Sequence, residues 1–212
     1  NSEIYNFKEL KSELQNNYKF KTKSDTEVLL RSYEAWGIDC LEKLRGMFAF
    51  AIWDSRNNRL LIARDRLGIK PLYYCSGEKI LIFSSELRAI LATNLIKSKI
   101  STTGIYQYLS FGRLGSPETI LDSVKELPPG HLLIAHKNQI QIKEYWNPLI
   151  NTKSIDTDIS LNNQIAQVLD DAVKLRLISD VPIGAFLSGG IDSSALVGMM
   201  VDNTTNPVNL YP

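Results

Sequence analysis

Apolar and polar positions change rhythm several times along this chain. Val28, Leu29, Tyr33 and Trp36 fall near helical spacing, and Gly37 ends the run. Ser24, with Glu27 three residues later, has the pattern of a capping box at the start of that helix. Shorter helices are predicted over 7–18 and 40–44. Residues 47–53 form a near-continuous apolar run with aromatics, 54–58 are a polar turn, and 59–63 return as a strand. A second hairpin is predicted from 72–75 and 80–83 around Gly77, followed by a helix over 85–91. Two hairpins flanked by helices predict a layered α+β unit over residues 1–95.

Residues 96–157 read as a connection with its own hairpin. A helix is predicted over 102–109, and Pro128-Pro129-Gly130 is a hard break. Strands over 131–135 and 139–145 flank His136-Lys137-Asn138. His131 and His136 have no cysteine or second histidine at metal-ligand spacing and read as strand residues. A third segment, 158–212, opens with an amphipathic helix over 158–177, whose apolar face carries Ile165, Leu169, Val173 and Leu177. A strand over 181–187, a helix over 193–200 and the start of a further strand at 208–210 then suggest the beginning of a parallel sheet.

The sharpest chemical signal lies in that third segment. An apolar run stops at Ser188, and Gly189, Gly190, Ile191, Asp192, Ser193 and Ser194 follow before the next apolar run. Strand, glycine turn and helix in this order make an anion cradle. Glycines let the backbone turn sharply and approach a ligand, and the first amides of the helix point outward. Ser188, Ser193 and Ser194 add hydroxyls. Asp192 cannot attract phosphate by its own charge, so Mg2+ bridging it to the phosphates is the sensible reading. The turn lacks the Gly-Lys-Ser or Gly-Lys-Thr of a Walker loop. The bland alternative is an ordinary helix start, since serine and aspartate cap helices and glycine pairs mark turns.

Composition narrows the partners. Of 212 residues, 44% are apolar, and 24 basic against 23 acidic side chains give a net charge of +1. No global field pulls the chain toward nucleic acid or a membrane. No apolar run approaches the ~18 residues of a transmembrane helix, and no signal peptide is visible. Two cysteines, Cys40 and Cys75, make no disulfide framework and fit a reducing, cytoplasmic setting.

Ser188-Gly189-Gly190-Ile191-Asp192-Ser193-Ser194 resembles the pyrophosphate loop of ATP pyrophosphatases that adenylate their substrates. Its flank, Ser179-Asp180-Val181-Pro182-Ile183-Gly184-Ala185-Phe186-Leu187, resembles the asparagine synthetase branch. Asn1-Ser2-Glu3-Ile4-Tyr5-Asn6, Ser24-Asp25-Thr26-Glu27, Gly46-Met47-Phe48-Ala49-Phe50-Ala51 and residues 63–74 resemble class II glutamine amidotransferases. The resemblance implies a partial N-terminal-nucleophile-hydrolase-like αββα domain, followed by the start of an α/β ATP-pyrophosphatase domain of the adenine nucleotide α-hydrolase-like kind.

Roles follow from the resemblance. Asn1 would stabilise an oxyanion with its side-chain amide, and Ser2, where the family has glycine, with its backbone N–H. Asn1, Ser2, Glu3 and Asp25 would bind glutamine, the two acids at its α-amino end. The bland reading of Glu3 and Asp25 is a surface charge and a first-turn helix acid. Phe186 and Leu187 would lie beside adenine and ribose, and Ser188, Gly189, Gly190, Asp192, Ser193 and Ser194 would hold the ATP phosphates, with Asp192 on Mg2+. The family's nucleophile, an N-terminal cysteine, is absent from the chain. The chain therefore reads as an internal portion of a glutamine-hydrolysing asparagine synthetase, itself inactive. The parent would take glutamine, aspartate and ATP, require neither nucleic acid nor membrane, and could form a homodimer. Alternatives are an amidotransferase or cyclase acting on another carboxylate, or an inactive truncated remnant.

Overall fold

A computed structural model describes residues 1–77, 80–137, 139–149, 158–179 and 181–212. It divides into two compact units, Asn1–Pro148 and Leu149–Pro212. The expected turn residue Asn138, the flank residue Asp180 and the stretch 150–157 before the expected third segment lie outside the described residues.

The first unit begins with β1 (Ser2–Ile4), α1 (Phe7–Leu14), α2 (Asp25–Trp36) and α3 (Cys40–Lys43). Strands β2 (Gly46–Asp54), β3 (Arg59–Arg64), β4 (Tyr73–Ser76) and β5 (Leu81–Ser84) follow, then α4 (Leu87–Ala92), α5 (Thr102–Phe111), β6 (Lys125–Glu126), β7 (His131–His136) and β8 (Gln139–Glu144). One antiparallel sheet has the order β1-β2-β3-β7-β8, and a second has the order β5-β4-β6.

Strand alternation sorts the apolar side chains into layers. Phe48, Leu61, Ala63 and Leu132 leave the first sheet on one face and pack with Leu10, Val28, Leu29 and Leu41 of the helices. Their neighbours Ala49, Ile62 and Leu133 leave on the other face and meet Leu72 and Leu127, with Tyr74 and Leu81 of the second sheet against them. Cys75 then meets Ile90 of α4 on the far side of the second sheet. Helix, sheet, sheet and helix are thus stacked in the expected αββα order.

Three local expectations are corrected. Residues 96–148 belong to the first compact unit rather than standing apart as a connection, because β7 pairs antiparallel with β3 from Arg59↔His136 to Ala63↔Leu132. The α1 helix stops at Leu14 instead of reaching residue 18. No capping box forms at α2: the Ser24 hydroxyl accepts the Thr26 N–H as expected, but Glu27 reaches past it. The Glu27 carboxylate accepts the Lys21 and Thr22 amides and the Thr22 hydroxyl instead. Those bonds, led by the Thr22 hydroxyl, lower the pKa of Glu27 to about 2.

The second unit holds α6 (Asp158–Arg176), β9 (Gly184–Phe186), α7 (Ile191–Asp202) and β10 (Asn209–Tyr211). Strands β9 and β10 pair in parallel, so β9-α7-β10 is a crossover unit. In α6, Val173 is buried whereas Ile165 and Leu169 stay exposed, and Asp170 accepts the Asn203 side-chain amide at the end of α7.

Candidate functional site

The edge of the first sheet presents the first set of predicted residues. Asn1 exchanges both backbone bonds with Ala49, donating at 3.2 Å and accepting at 2.9 Å. The next pair, Ser2↔Phe48, is therefore a non-hydrogen-bonded one, and the Ser2 N–H points away from β2 toward the outer edge. Ser2 sits in ordinary extended backbone, outside the positive-φ residues, so serine replaces the family's glycine without strain. Alternation turns Ile4 into the core and leaves Asn1 and Glu3 exposed on the opposite face. Close approach of β1 to β2 depends on Gly46, where a Cβ would lie 2.1 Å from the Glu3 carbonyl oxygen.

Asp25 comes to the same edge from α2. Its Oδ2 accepts the Ile4 N–H at 3.1 Å, and its Oδ1 accepts the Thr26 and Ser24 hydroxyls. Ile4 is the next amide along β1 that faces outward after Ser2. The fold thus brings Asp25, 21 residues distant from Ile4, within one residue of Glu3. Asp25 is both a first-turn helix acid and a clamp on the strand that carries Asn1, Ser2 and Glu3.

Behind this edge stand two buried charges whose roles the sequence reading missed. Asp65 Oδ1 accepts the amides of Leu67 and Ile69, and Oδ2 accepts those of Phe48 and Lys70. Arg64 donates to the carbonyls of Lys70, Leu127 and Gly68 and pairs with Glu126 at 2.9 Å. The signal was available: an Arg-Asp pair directly after an apolar strand needs partners if it is buried. Asp65→Asn turns one oxygen into an NH2 group that faces two amide donors whichever way it flips. The variant is expected to lose about 1–3 kcal/mol of stability, read as a lower midpoint in urea denaturation at unchanged slope.

Neither cysteine can replace the family's nucleophile. Cys40 is fully buried, and burial with Asp39 nearby pushes its thiol up to about 12. Burial also raises the Cys75 thiol. At neutral pH both stay protonated and inert. His131 and His136 end β7, their Nδ1 atoms set against the carbonyls of Pro129 and Asn58.

The second set of predicted residues lies in the other unit. Gly189 turns the chain with φ +77°, and Gly190 occupies the N-cap of α7, where no side chain caps the helix. Ser194 N–H returns to the Gly190 carbonyl. The Ser188 and Ser193 hydroxyls lie 3.1 Å apart across the mouth of the turn, and Ser193 also donates to the Gly190 carbonyl. Asp192 projects from the first turn of α7 and is exposed. Phe186 is 81% exposed beside the Tyr211 ring, and the amide of the half-buried Leu187 donates to the Tyr211 carbonyl. Strand, turn and helix stand as expected, although β9 is shorter and α7 begins at Ile191. Among the described residues, no helix is long and apolar enough to cross a membrane.

Residues 1–146, more than half of the chain, match the glutamine amidotransferase domain. The chain belongs to the glutamine amidotransferase family. Residues 164–211 match the asparagine synthase family over a shorter span. Asparagine synthetase [glutamine-hydrolyzing] 3 of Bacillus subtilis is 41% identical over 94% of this chain and 33% of its own length. A putative asparagine synthetase [glutamine-hydrolyzing] 2 of Methanocaldococcus jannaschii is 41% identical over 96% of the chain and 40% of its own length. The chain therefore spans about a third of the length of such curated relatives. Among solved structures, the glutamine phosphoribosylpyrophosphate amidotransferase of B. subtilis aligns with a TM-score of 0.51 at 17% identity, covering all of this chain and 44% of its own. At that identity the match speaks for the fold, an N-terminal-nucleophile-hydrolase-like sandwich, and agrees with the αββα layers found in the first unit.

Proposed function

We propose that this chain is part of a glutamine-dependent asparagine synthetase. The observation that carries the reading is the presence in one chain of both half-sites. One is an outward N–H at Ser2 beside Asn1, with Asp25 clamped on the same strand. The other is an uncapped helix start after the turn at Gly189 and Gly190.

In the first half-site, Asn1 Nδ2 and Ser2 N–H would bind the oxyanion formed when glutamine is attacked. Glu3 and Asp25 would receive the substrate's ammonium, a pairing favoured by charge. In the second, the amides of the α7 first turn and the Ser188, Ser193 and Ser194 hydroxyls would hold the β- and γ-phosphates of ATP. Phe186 and Leu187 would flank the adenosine. The donor set fits Mg2+ held by one carboxylate and the substrate's own phosphates: Asp192 is a lone exposed acid, and no group of three or more His, Cys, Asp or Glu gathers elsewhere among the described residues. When bound, the ion neutralises phosphate charge. The parent would then activate aspartate's carboxylate as the adenylate and amidate it with the released ammonia, giving asparagine, AMP and pyrophosphate. Two free, buried cysteines support a cytoplasmic setting.

A second acceptor carboxylate is favoured by relatives named amidases, such as amidase chry2 of Gibberella zeae, 34% identical over 94% of the chain and 30% of its own length. Mass spectrometry of products from the full-length protein, given glutamine, ATP and a panel of carboxylic acids, decides between them. Asparagine from aspartate is the expected product. An amide of another acid, with none from aspartate, would overturn the choice of acceptor.

A further inference from the structure

The first sheet carries a groove well away from the proposed glutamine edge. Helices α1–α3 cover β1, β2, β3 and the Leu132 end of β7, whereas β8 on the same face is exposed along its whole length. There it opens into a cavity of about 440 Å3, a volume suited to a small metabolite. Arg59, His136 and Lys143 line it, with the side-chain amides of Asn57, Gln139 and Gln141 between them and Ile134 as apolar floor. No carboxylate is among the lining residues. Register explains the gathering. His136 faces Gln139, Ile134 faces Gln141, and Arg59 faces His136, so alternate residues of three strands project to one side.

Arg59 is held in place before any ligand arrives. Its Nε donates to the Tyr33 hydroxyl at 3.0 Å, with Asp54 3.5 Å away and the Tyr33 ring beneath the guanidinium. No hydrogen bond occupies its two terminal amino groups among the described residues. Lys143 has no ion-pair partner among them either. Asp54 offsets one positive charge, so Arg59 and Lys143 leave the groove with a net excess of one. A free guanidinium fork, an ammonium four residues farther along the groove and three side-chain amides suit an elongated anion bearing carboxylate or phosphate groups.

We infer that this groove is a binding site for a small organic anion bearing a carboxylate or phosphate, separate from both half-sites. Arg59 supplies the bidentate contact, Lys143 the second charge, and the amides of Asn57, Gln139 and Gln141 read the remaining polar groups. Ser2 pairs with Phe48 near the start of β2, whereas Arg59 pairs with Asp54 at its end. Six residues of strand put the groove on the order of 20 Å from the proposed oxyanion donors. Occupancy there would not compete directly with glutamine.

The test is a titration of the isotopically labelled full-length protein with inorganic phosphate and, separately, with citrate, followed by amide NMR. Sodium chloride at matched ionic strength is the control. Saturable shifts confined to Asn57, Arg59, His136 and the strand Gln139–Glu144, with none at Ser2 or Ile4, are expected. The affinity should be on the order of 1 mM for such isolated oxyanions, and the stronger of the two probes identifies the preferred group. Arg59→Gln and Lys143→Gln should each weaken binding about tenfold, the loss of one charge-assisted contact. Should Arg59→Gln unfold because Tyr33 and Asp54 lose their partner, Lys143→Gln on the exposed strand decides alone. No shift beyond that caused by chloride, or full affinity retained in Lys143→Gln, overturns the site.

Discussion

Asp192→Ala in the full-length protein is expected to abolish ATP-dependent amide synthesis and leave glutamine hydrolysis largely intact. The reason is local charge. The first-turn amides of α7 and the hydroxyls of Ser188 and Ser193 can still meet a phosphate after the substitution, because none of them depends on the Asp192 side chain. What would disappear is the carboxylate proposed to hold a cation against a strongly negative triphosphate. Without that cation, only the first-turn amides and the serine hydroxyls would remain to offset charge on the phosphates. Asp192 is exposed, and its removal takes no buried contact with it, so the fold is expected to survive. Synthesis is read as pyrophosphate release with aspartate and ammonium, and hydrolysis as glutamate release. Unchanged pyrophosphate release in the variant would remove Asp192 from the ATP site.

The reverse pattern is expected for Asn1→Ala. Glutamine hydrolysis should fall about 10²–10³-fold, the usual cost of one oxyanion donor, while synthesis from ammonium chloride continues. The backbone of Asn1 is tied to Ala49 by two hydrogen bonds that alanine would keep. The Ser2 N–H would keep its outward direction for the same reason, so the loss should report the side-chain donor and appear in kcat more than in KM. Parallel loss of both activities in both variants would contradict separate half-sites and point to damage to the fold.

Much of this arrangement is legible in the sequence. Helix α2 was readable from the spacing of Val28, Leu29, Tyr33 and Trp36, and its end from Gly37, which adopts φ +60°. The turn at Gly189 and the helix after it followed from residue type alone, since both are consequences of backbone geometry within a dozen residues. Glu27 shows where local reading stops. Its spacing from Ser24 fits a capping box, yet the carboxylate found three better donors at Lys21 and Thr22. Several local conformations satisfied the same pattern, and the path of the preceding loop chose among them.

By itself the sequence determined most of the strands and helices and the two glycine-dependent turns, because each depends on neighbours close along the chain, but not the short strands β1 and β6, which exist only through their partners. The tertiary structure alone decided which of them meet. The hairpin from His131 to Glu144 joined the first sheet by pairing with β3, more than 65 residues earlier in the chain. Asp25 reached the Ile4 amide, and Arg64 reached the Leu127 carbonyl 63 residues away. The physical reason is that a buried amide, carbonyl or charge must find a partner somewhere, and sequence spacing does not say where. Packing of helices and sheets in layers settles that question, and with it the α2 clamp on the strand of Asn1 and Ser2 and the cationic groove beside β8.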